Sequence, residues 1–185
     1  TAKLLIMKED IIIAGFGGQG VLSMGKILAY AGLMDNLEVT WMPAYGPEQR
    51  GGTANVTVVL SDKPISSPIL DSYDTAVLLN QQSLDKFESM VKPGGTLIYD
   101  PYGIHHAPTR TDIKVLPINA MDATLELGNA KTYNMILLGA LLASRHLLST
   151  DAVVRGLKKT LPERHHHLIP INEKAIEKGR SLVEQ

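Results

Sequence analysis

A glycine-rich segment directly follows the first apolar run of the chain. After the apolar residues 11–14, the sequence reads Gly15, Phe16, Gly17, Gly18, Gln19 and Gly20. A strand, a glycine turn and a helix in this order present backbone N–H groups to a phosphate, because glycine permits positive φ and a close approach of the ligand. The helix that we predict from residue 20 onward directs the positive end of its dipole at the same point. The segment therefore predicts contact with a phosphate-bearing cofactor.

The end of the second predicted strand bears on which cofactor this is. In an NAD-binding unit, an acidic residue about 20 positions after the glycines holds the ribose hydroxyl. Residues 39–43 contain no acid, and Gly18 is a glycine that the usual dehydrogenase fingerprint lacks. Besides another phosphate-bearing cofactor, the residues alone leave two alternatives open. One is an NAD(P)-binding domain, and the other is a tight turn that contacts no ligand.

A second glycine segment follows the second predicted strand, within a loop at residues 43–52. Arg50 precedes Gly51 and Gly52 there, and its planar guanidinium suits a phosphate or a carboxylate. The alternative is a solvated turn in which Arg50 and Glu48 form a weak surface pair. Ligands of open α/β sheets bind at the carboxyl ends of the strands. If the first two strands are adjacent and parallel, both glycine segments lie at that edge.

Other polar residues give weaker indications of chemistry. The histidines at 165–167 and 105–106 are consecutive, so their side chains do not point together on a helix, and only alternate ones do on a strand. No acidic or cysteine cluster supplies a further ligand. We therefore expect solvated histidine patches and no metal site. Asn134 lies near the start of a long predicted helix, where we expect it to act as a cap. Neither a Gly-x-Ser-x-Gly turn nor a nucleophile with a base is recognisable, so we predict no complete catalytic site.

Composition restricts the class of protein further. The 185 residues suit one domain; Met7 is a candidate natural start, so we expect a single domain at 7–185 after an extension at 1–6. The net charge of −1 disfavours nucleic-acid binding. With no cysteine, the chain has no disulfide and no cysteine-ligated iron–sulfur cluster. It has neither a signal peptide pattern nor an apolar run of about 20 residues, so we expect a cytoplasmic protein without membrane contact.

Periodicity and turn residues predict an alternation of strands and helices. Predicted strands lie at residues 10–14, 38–42, 53–60, 75–79, 96–99 and 113–116. Predicted helices lie at 20–33, 82–91, 120–127, 133–148 and 150–159, followed by one that Asn172 caps. The loop at 43–52 is too short for a crossover helix, so the second and third strands should be antiparallel if they pair. We expect a three-layer α/β/α fold with a Rossmann-like mixed sheet.

Taken together, three motifs resemble those of the gamma subunit of 2-oxoacid:ferredoxin oxidoreductases. They are the segment at 15–20, the run from Tyr45 through Glu48 and Arg50 to Gly52, and the run from Asn134 through Gly139 to Ala140. The resemblance extends over about residues 7–184 and includes the equivalent gamma domain of pyruvate:ferredoxin oxidoreductase. The form of the motifs is most similar to enzymes of the 2-oxoglutarate and branched-chain types.

The resemblance implies a subunit of a larger enzyme. Such complexes decarboxylate a 2-oxo acid oxidatively, form acyl-CoA and reduce ferredoxin. It implies alpha and beta subunits that hold thiamine diphosphate between them, iron–sulfur clusters on other chains, and a ferredoxin-like delta subunit as a further candidate partner. It assigns coenzyme A to the gamma subunit, so that Gly15, Phe16, Gly17, Gly18, Gln19, Gly20, Arg50 and Gly51 become its expected contacts. An NAD(P)-binding oxidoreductase domain and a purely structural assembly subunit are the alternatives.

Overall fold

The computed structural model describes residues 8–45 and 53–184. Six strands lie in these ranges: β1 (Lys8–Phe16), β2 (Glu38–Tyr45), β3 (Thr53–Ser61), β4 (Tyr73–Leu78), β5 (Val91–Tyr99) and β6 (Lys114–Pro117). Six α-helices accompany them: α1 (Val21–Met34), α2 (Gln81–Phe87), α3 (Ala120–Leu127), α4 (Tyr133–Arg145), α5 (Thr150–Thr160) and α6 (Ile169–Ser181). None of the helices in the described ranges combines the length and apolarity needed to cross a bilayer.

The strands form one mixed sheet in the order β2-β3-β1-β4-β5-β6. The pairs β1–β4, β4–β5 and β5–β6 are parallel, whereas β3 is antiparallel to both β1 and β2. This confirms the mixed sheet and the antiparallel second and third strands. The condition that β1 and β2 be adjacent is not met, because β3 lies between them. Since β3 runs opposite to both, β1 and β2 still end at the same edge, where Phe16 lies opposite Thr53.

Helices cover the two faces of the sheet unequally. Alternate residues of a strand point to opposite faces, so the apolar run of β1 contributes to two cores. Ile11 and Ile13 pack with α1 and α4 on one face, and Ile12 packs with Leu84 and Phe87 of α2 on the other. Burying each such side chain stabilises the fold by about 1.5–3 kcal/mol relative to exposure. The three-layer α/β/α architecture is therefore confirmed.

Two glycines allow α4 and α6 to pack with their backbones in contact. A Cβ atom on Gly139 would collide with the carbonyl oxygen of Ile176, and one on Gly179 would collide with that of Ile136. This close packing buries α4 on nearly every side, as its composition predicts. The helix ends at Arg145, three residues before the predicted end, because His146 adopts a left-handed φ of 51°.

Several predicted boundaries were wrong for local reasons. Residues 92–95, predicted as the stop after a helix, belong to β5, and α2 ends earlier, at Phe87. β2 continues through Pro43, which an edge strand tolerates because one of its sides has no ladder partner. Asn172 does not cap the last helix, since α6 begins at Ile169 with a proline in its first turn.

Candidate functional site

The glycine turn lies at the carboxyl edge of the sheet, between β1 and α1, and Gln19 holds its shape. The Phe16 N–H donates to Gln19 Oε1 at 2.7 Å, and Gln19 Nε2 donates to the Leu79 carbonyl oxygen at 3.1 Å. A Cβ atom on Gly15 would collide with Gln19 Oε1 and lie 3.0 Å from Leu79 Cβ. Gly15 and Gln19 thus allow the turn to pack against Leu79, the residue that follows β4.

Gly20 is fixed from the opposite side by a residue far along the chain. It has a φ of +74°, and a Cβ atom there would lie 2.6 Å from Asn134 Nδ2. That amide donates to the Gly20 carbonyl oxygen at 3.2 Å. The predicted capping role of Asn134 was wrong, because Thr132 occupies the N-cap position of α4. The sequence analysis placed Asn134 in one of the three family motifs, but it did not predict this contact with the glycine turn.

Gly17 and Gly18 differ from the other two glycines of the turn. A Cβ atom at either position would meet no atom within 4 Å, and neither residue has a positive φ. Contacts within the described part of the chain therefore do not require glycine there. Both residues are exposed, so a ligand can approach the backbone there more closely than it could approach a residue with a side chain. No side chain caps the start of α1, whose first N–H groups have no partner within the helix. This arrangement fits an anionic group.

A cavity of about 450 Å³ adjoins the turn. Its walls come from the turn, from α3 and from the start of α4: Gly18, Gln19, Met121, Thr124, Leu125, Gly128, Asn129, Ala130 and Tyr133. Several polar groups of the lining already have partners within the chain. Thr124 Oγ1 donates to the Ala120 carbonyl oxygen at 2.7 Å, and Asn129 Oδ1 accepts from the Lys131 N–H at 3.0 Å. The walls therefore offer chiefly apolar surface, beside a turn that suits an anion.

Asp100, the residue after β5, is a buried carboxylate that is hydrogen-bonded to two residues lining this cavity. It is 1% exposed. Its oxygens accept from the Tyr133 hydroxyl at 2.9 Å, the Met121 N–H at 3.0 Å and the Tyr102 N–H at 3.0 Å. Burial, together with the nearby carboxylate, raises the pKa of the Tyr133 phenol well above its ordinary value. The phenol therefore remains a hydrogen-bond donor at neutral pH.

None of the histidines singled out in the sequence lines this cavity. Arg50 and Gly51 lie outside the described residues. The histidines at 165–167 belong to a 3-10 turn, Glu163–Leu168, where ring nitrogens of His166 and His167 contact the carbonyl oxygens of Leu161 and Arg164. In the two described ranges, no group of three or more His, Asp or Glu residues could hold a metal ion.

A mixed α/β domain with a glycine turn at the carboxyl edge of its sheet belongs to the class of folds that hold phosphate-bearing ligands. The sequence model of the pyruvate ferredoxin/flavodoxin oxidoreductase family matches residues 10–182. The chain therefore belongs to that family.

Two archaeal relatives carry different names. The ketoisovalerate oxidoreductase subunit VorA of Methanothermobacter marburgensis is 36% identical over 167 residues, which cover 90% of this chain and 35% of VorA. The 2-oxoglutarate synthase subunit KorC of the same organism is 33% identical over 184 residues, covering 96% of this chain and 97% of KorC. The chain thus spans about a third of VorA and nearly all of KorC. Since the two are named for different 2-oxo acids, the family is clear and the subgroup is not.

Solved structures agree with this placement. The gamma subunit of a keto/oxoacid ferredoxin oxidoreductase from Geobacter sulfurreducens superposes with a TM-score of 0.81 at 27% identity, covering 96% of this chain and 97% of that one. The 2-oxoglutarate:ferredoxin oxidoreductase of Magnetococcus marinus, solved with 2-oxoglutarate, coenzyme A and succinyl-CoA bound, superposes with a TM-score of 0.86 at 25% identity. That match covers 96% of this chain and 31% of the other.

Proposed function

We propose that this chain is the gamma subunit of a 2-oxoacid:ferredoxin oxidoreductase and forms part of its coenzyme A site. The complex would convert a 2-oxo acid and coenzyme A to acyl-CoA and carbon dioxide, with electrons passing to ferredoxin. The observation that carries the proposal is the open space at Gly17 and Gly18, beside an uncapped helix start. It gains weight because the similar Magnetococcus enzyme was solved with coenzyme A bound.

In the proposed site, different residues bind different parts of coenzyme A. Backbone N–H groups at Gly17, Gly18 and the start of α1 bind the pyrophosphate of coenzyme A, which α1 also favours through its dipole. The adjoining cavity receives a less polar part of the same molecule. Arg50 and Gly51, which lie between β2 and β3 in the sequence, complete the phosphate contacts, because a guanidinium suits a phosphate. Holding the thiol carrier in this way raises its effective concentration at the reacting centre.

Bond making belongs to other chains in this proposal. Alpha and beta subunits would hold thiamine diphosphate, which supplies the decarboxylation chemistry, and partner chains, including a ferredoxin-like delta subunit, would carry iron–sulfur clusters towards ferredoxin. The lack of cysteine in this chain agrees with that division. We assign selection of the 2-oxo acid, 2-oxoglutarate or a branched-chain acid, to those subunits. We also propose that residues 7–185 act as one gamma domain in the cytoplasm.

Affinity purification of the tagged chain from its native cells tests the subunit assignment. We expect brown, cluster-bearing partner chains to accompany it, and the purified complex to reduce ferredoxin only when a 2-oxo acid and coenzyme A are both supplied. A colourless chain that is recovered alone and binds NADH would contradict the proposal and favour an NAD(P)-binding domain. A complex whose activity shows no change when the glycine turn is altered would leave the chain an assembly subunit.

A further inference from the structure

We propose that Tyr133 and Asn134, acting with the buried Asp100, are positioning residues for coenzyme A, an inference that rests on the proposed function. These two consecutive residues begin α4 and bond in different directions. The Tyr133 hydroxyl donates to Asp100 Oδ2 at 2.9 Å, at the end of β5. Asn134 Nδ2 donates to the Gly20 carbonyl oxygen at 3.2 Å, at the start of α1. The start of α4 is thus tied to two different segments of the site.

Those two segments lead to different walls of the cavity. The segment held by Asn134 continues from the glycine turn, whose Gly18 and Gln19 line the cavity. The segment held through Asp100 includes α3, because the same Asp100 Oδ2 also accepts from the Met121 N–H at 3.0 Å. Met121 lines the cavity from α3. The spacing between the turn and α3 therefore depends on the hydrogen bonds made by Tyr133 and Asn134.

The chemistry of Asp100, Tyr133 and Asn134 suits positioning the walls of the site and not taking part in the reaction. Asp100 is 1% exposed and Tyr133 is 8% exposed. Tyr133 lines the cavity, but its hydroxyl already donates to Asp100. The phenol is protonated at neutral pH, as an ordinary tyrosine is, and its raised pKa extends the range of this donor into alkaline solution. Asn134 acts on the carbonyl oxygen of Gly20, whose φ of +74° already requires glycine. Loss of either bond should change the spacing between the turn and α3, while Tyr133→Phe keeps the ring that lines the cavity.

The test compares three near-isosteric variants in the assembled complex. Tyr133→Phe and Asn134→Leu remove the two bonds. Thr75→Val is the matched control, because the Thr75 hydroxyl donates to the buried Glu9 Oε1 at 2.7 Å, while Arg145 still bonds Glu9 at 2.8 Å. All three variants should lose a similar amount of thermal stability. Only the first two should raise the KM for coenzyme A, by about threefold to tenfold, which is the scale of one hydrogen bond, while the KM for the 2-oxo acid stays unchanged.

Two outcomes would overturn the inference. One is an unchanged KM for coenzyme A in Tyr133→Phe and Asn134→Leu, and the other is a rise that Thr75→Val shows as well, since that would follow from general destabilisation. A Gly18→Ala complex assayed in parallel separates this failure from failure of the proposed function. If Gly18→Ala raises the KM for coenzyme A and the α4 variants do not, the proposed coenzyme A site is supported and the positioning role is refuted. If none of them raises it, the coenzyme A site itself falls.

Discussion

Replacing Gly18 by alanine should have opposite effects on stability and on coenzyme A binding. The added Cβ atom meets nothing within 4 Å, and the residue has no positive φ. Alanine restricts the unfolded chain more than glycine does, so the fold should gain about 0.4–1 kcal/mol. A variant that stabilises the protein and weakens its ligand binding cannot owe the weaker binding to damaged folding.

The size of the binding effect follows from what the methyl group would displace. In the proposed site, the turn approaches a pyrophosphate with backbone N–H groups, and such charge-assisted hydrogen bonds are worth about 1.5–3 kcal/mol each. Loss of one of them corresponds to a rise of about tenfold to a hundredfold in the KM for coenzyme A. The KM for the 2-oxo acid should stay constant, because that substrate is assigned to other subunits.

Steady-state ferredoxin reduction by the assembled complex measures both constants, and thermal unfolding measures the stability. Gly94→Asn is a suitable control. Gly94 lies near the amino end of β5, and its Cβ would also meet nothing within 4 Å, but its φ of +79° strains a residue with a side chain, asparagine least. Gly94→Asn should therefore gain no stability and should leave the KM for coenzyme A unchanged. A Gly18→Ala complex that is more stable and keeps an unchanged KM for coenzyme A would refute the ligand contact. A less stable one would refute the inference that the chain does not require glycine at this position.

Three further changes probe the framework around the site. Gln19→Ala should lower the free energy of unfolding by about 1–3 kcal/mol, measured by chemical denaturation, because it leaves the Phe16 N–H and the Leu79 carbonyl oxygen without their partner; unchanged stability would contradict a shape-holding role. Gly139→Ala should cost about 1–3 kcal/mol or more in thermal unfolding by separating α4 from α6, and a neutral result would mean that the two helices adjust freely. The Arg110 hydrogen bond lowers the pKa of Asp112, so the pair stabilises the fold above a pH of about 4, the ordinary carboxylate value, and the effect is lost as the pH falls through the lowered pKa. The difference in Tm between the wild type and Asp112→Asn should therefore be present at neutral pH and vanish in acid; a difference that persists in acid would have another origin.

Local sequence signals predicted the fold well wherever the residues of an element and its caps are sufficient to determine it. The helix predicted at 120–127 is observed as Ala120–Leu127, and Ser149, one of two predicted caps, accepts from the Ala152 N–H at 3.1 Å. The short loop after β2 correctly implied an antiparallel partner. Predictions were wrong where the packing of distant elements overrides such signals. Residues 92–95 looked like a stop, yet they lie in β5. The register of β5 against β4 shifts across them, and the Gly94 N–H donates to the Asp112 carbonyl oxygen at 2.8 Å.

The contacts that define the site could not be predicted, because they join segments far apart in the sequence. Asn134 and Gly20 are separated by 114 positions, and Tyr133 and Asp100 by 33. Periodicity explains an asparagine near a helix start as a cap, and nothing local indicates that the Asn134 side chain turns to α1 instead. The sequence also presents the segment at 15–20 as one motif. The structure separates Gly15, Gln19 and Gly20, which contact other parts of the chain, from Gly17 and Gly18, beside which a Cβ atom would meet nothing within 4 Å.

That division explains how one domain can serve as a separate chain and as part of a longer one. The hydrogen bonds that shape the turn, from Gln19 and Asn134, are all made within this chain. The domain corresponds to nearly all of KorC and to about a third of VorA, so its site needs a framework that does not depend on how it is joined to its partners. The isolated chain should therefore already show the gain in stability of Gly18→Ala and the loss of Gln19→Ala. If these effects appear only in the assembled complex, partner subunits, and not Gln19 and Asn134, determine the shape of the turn.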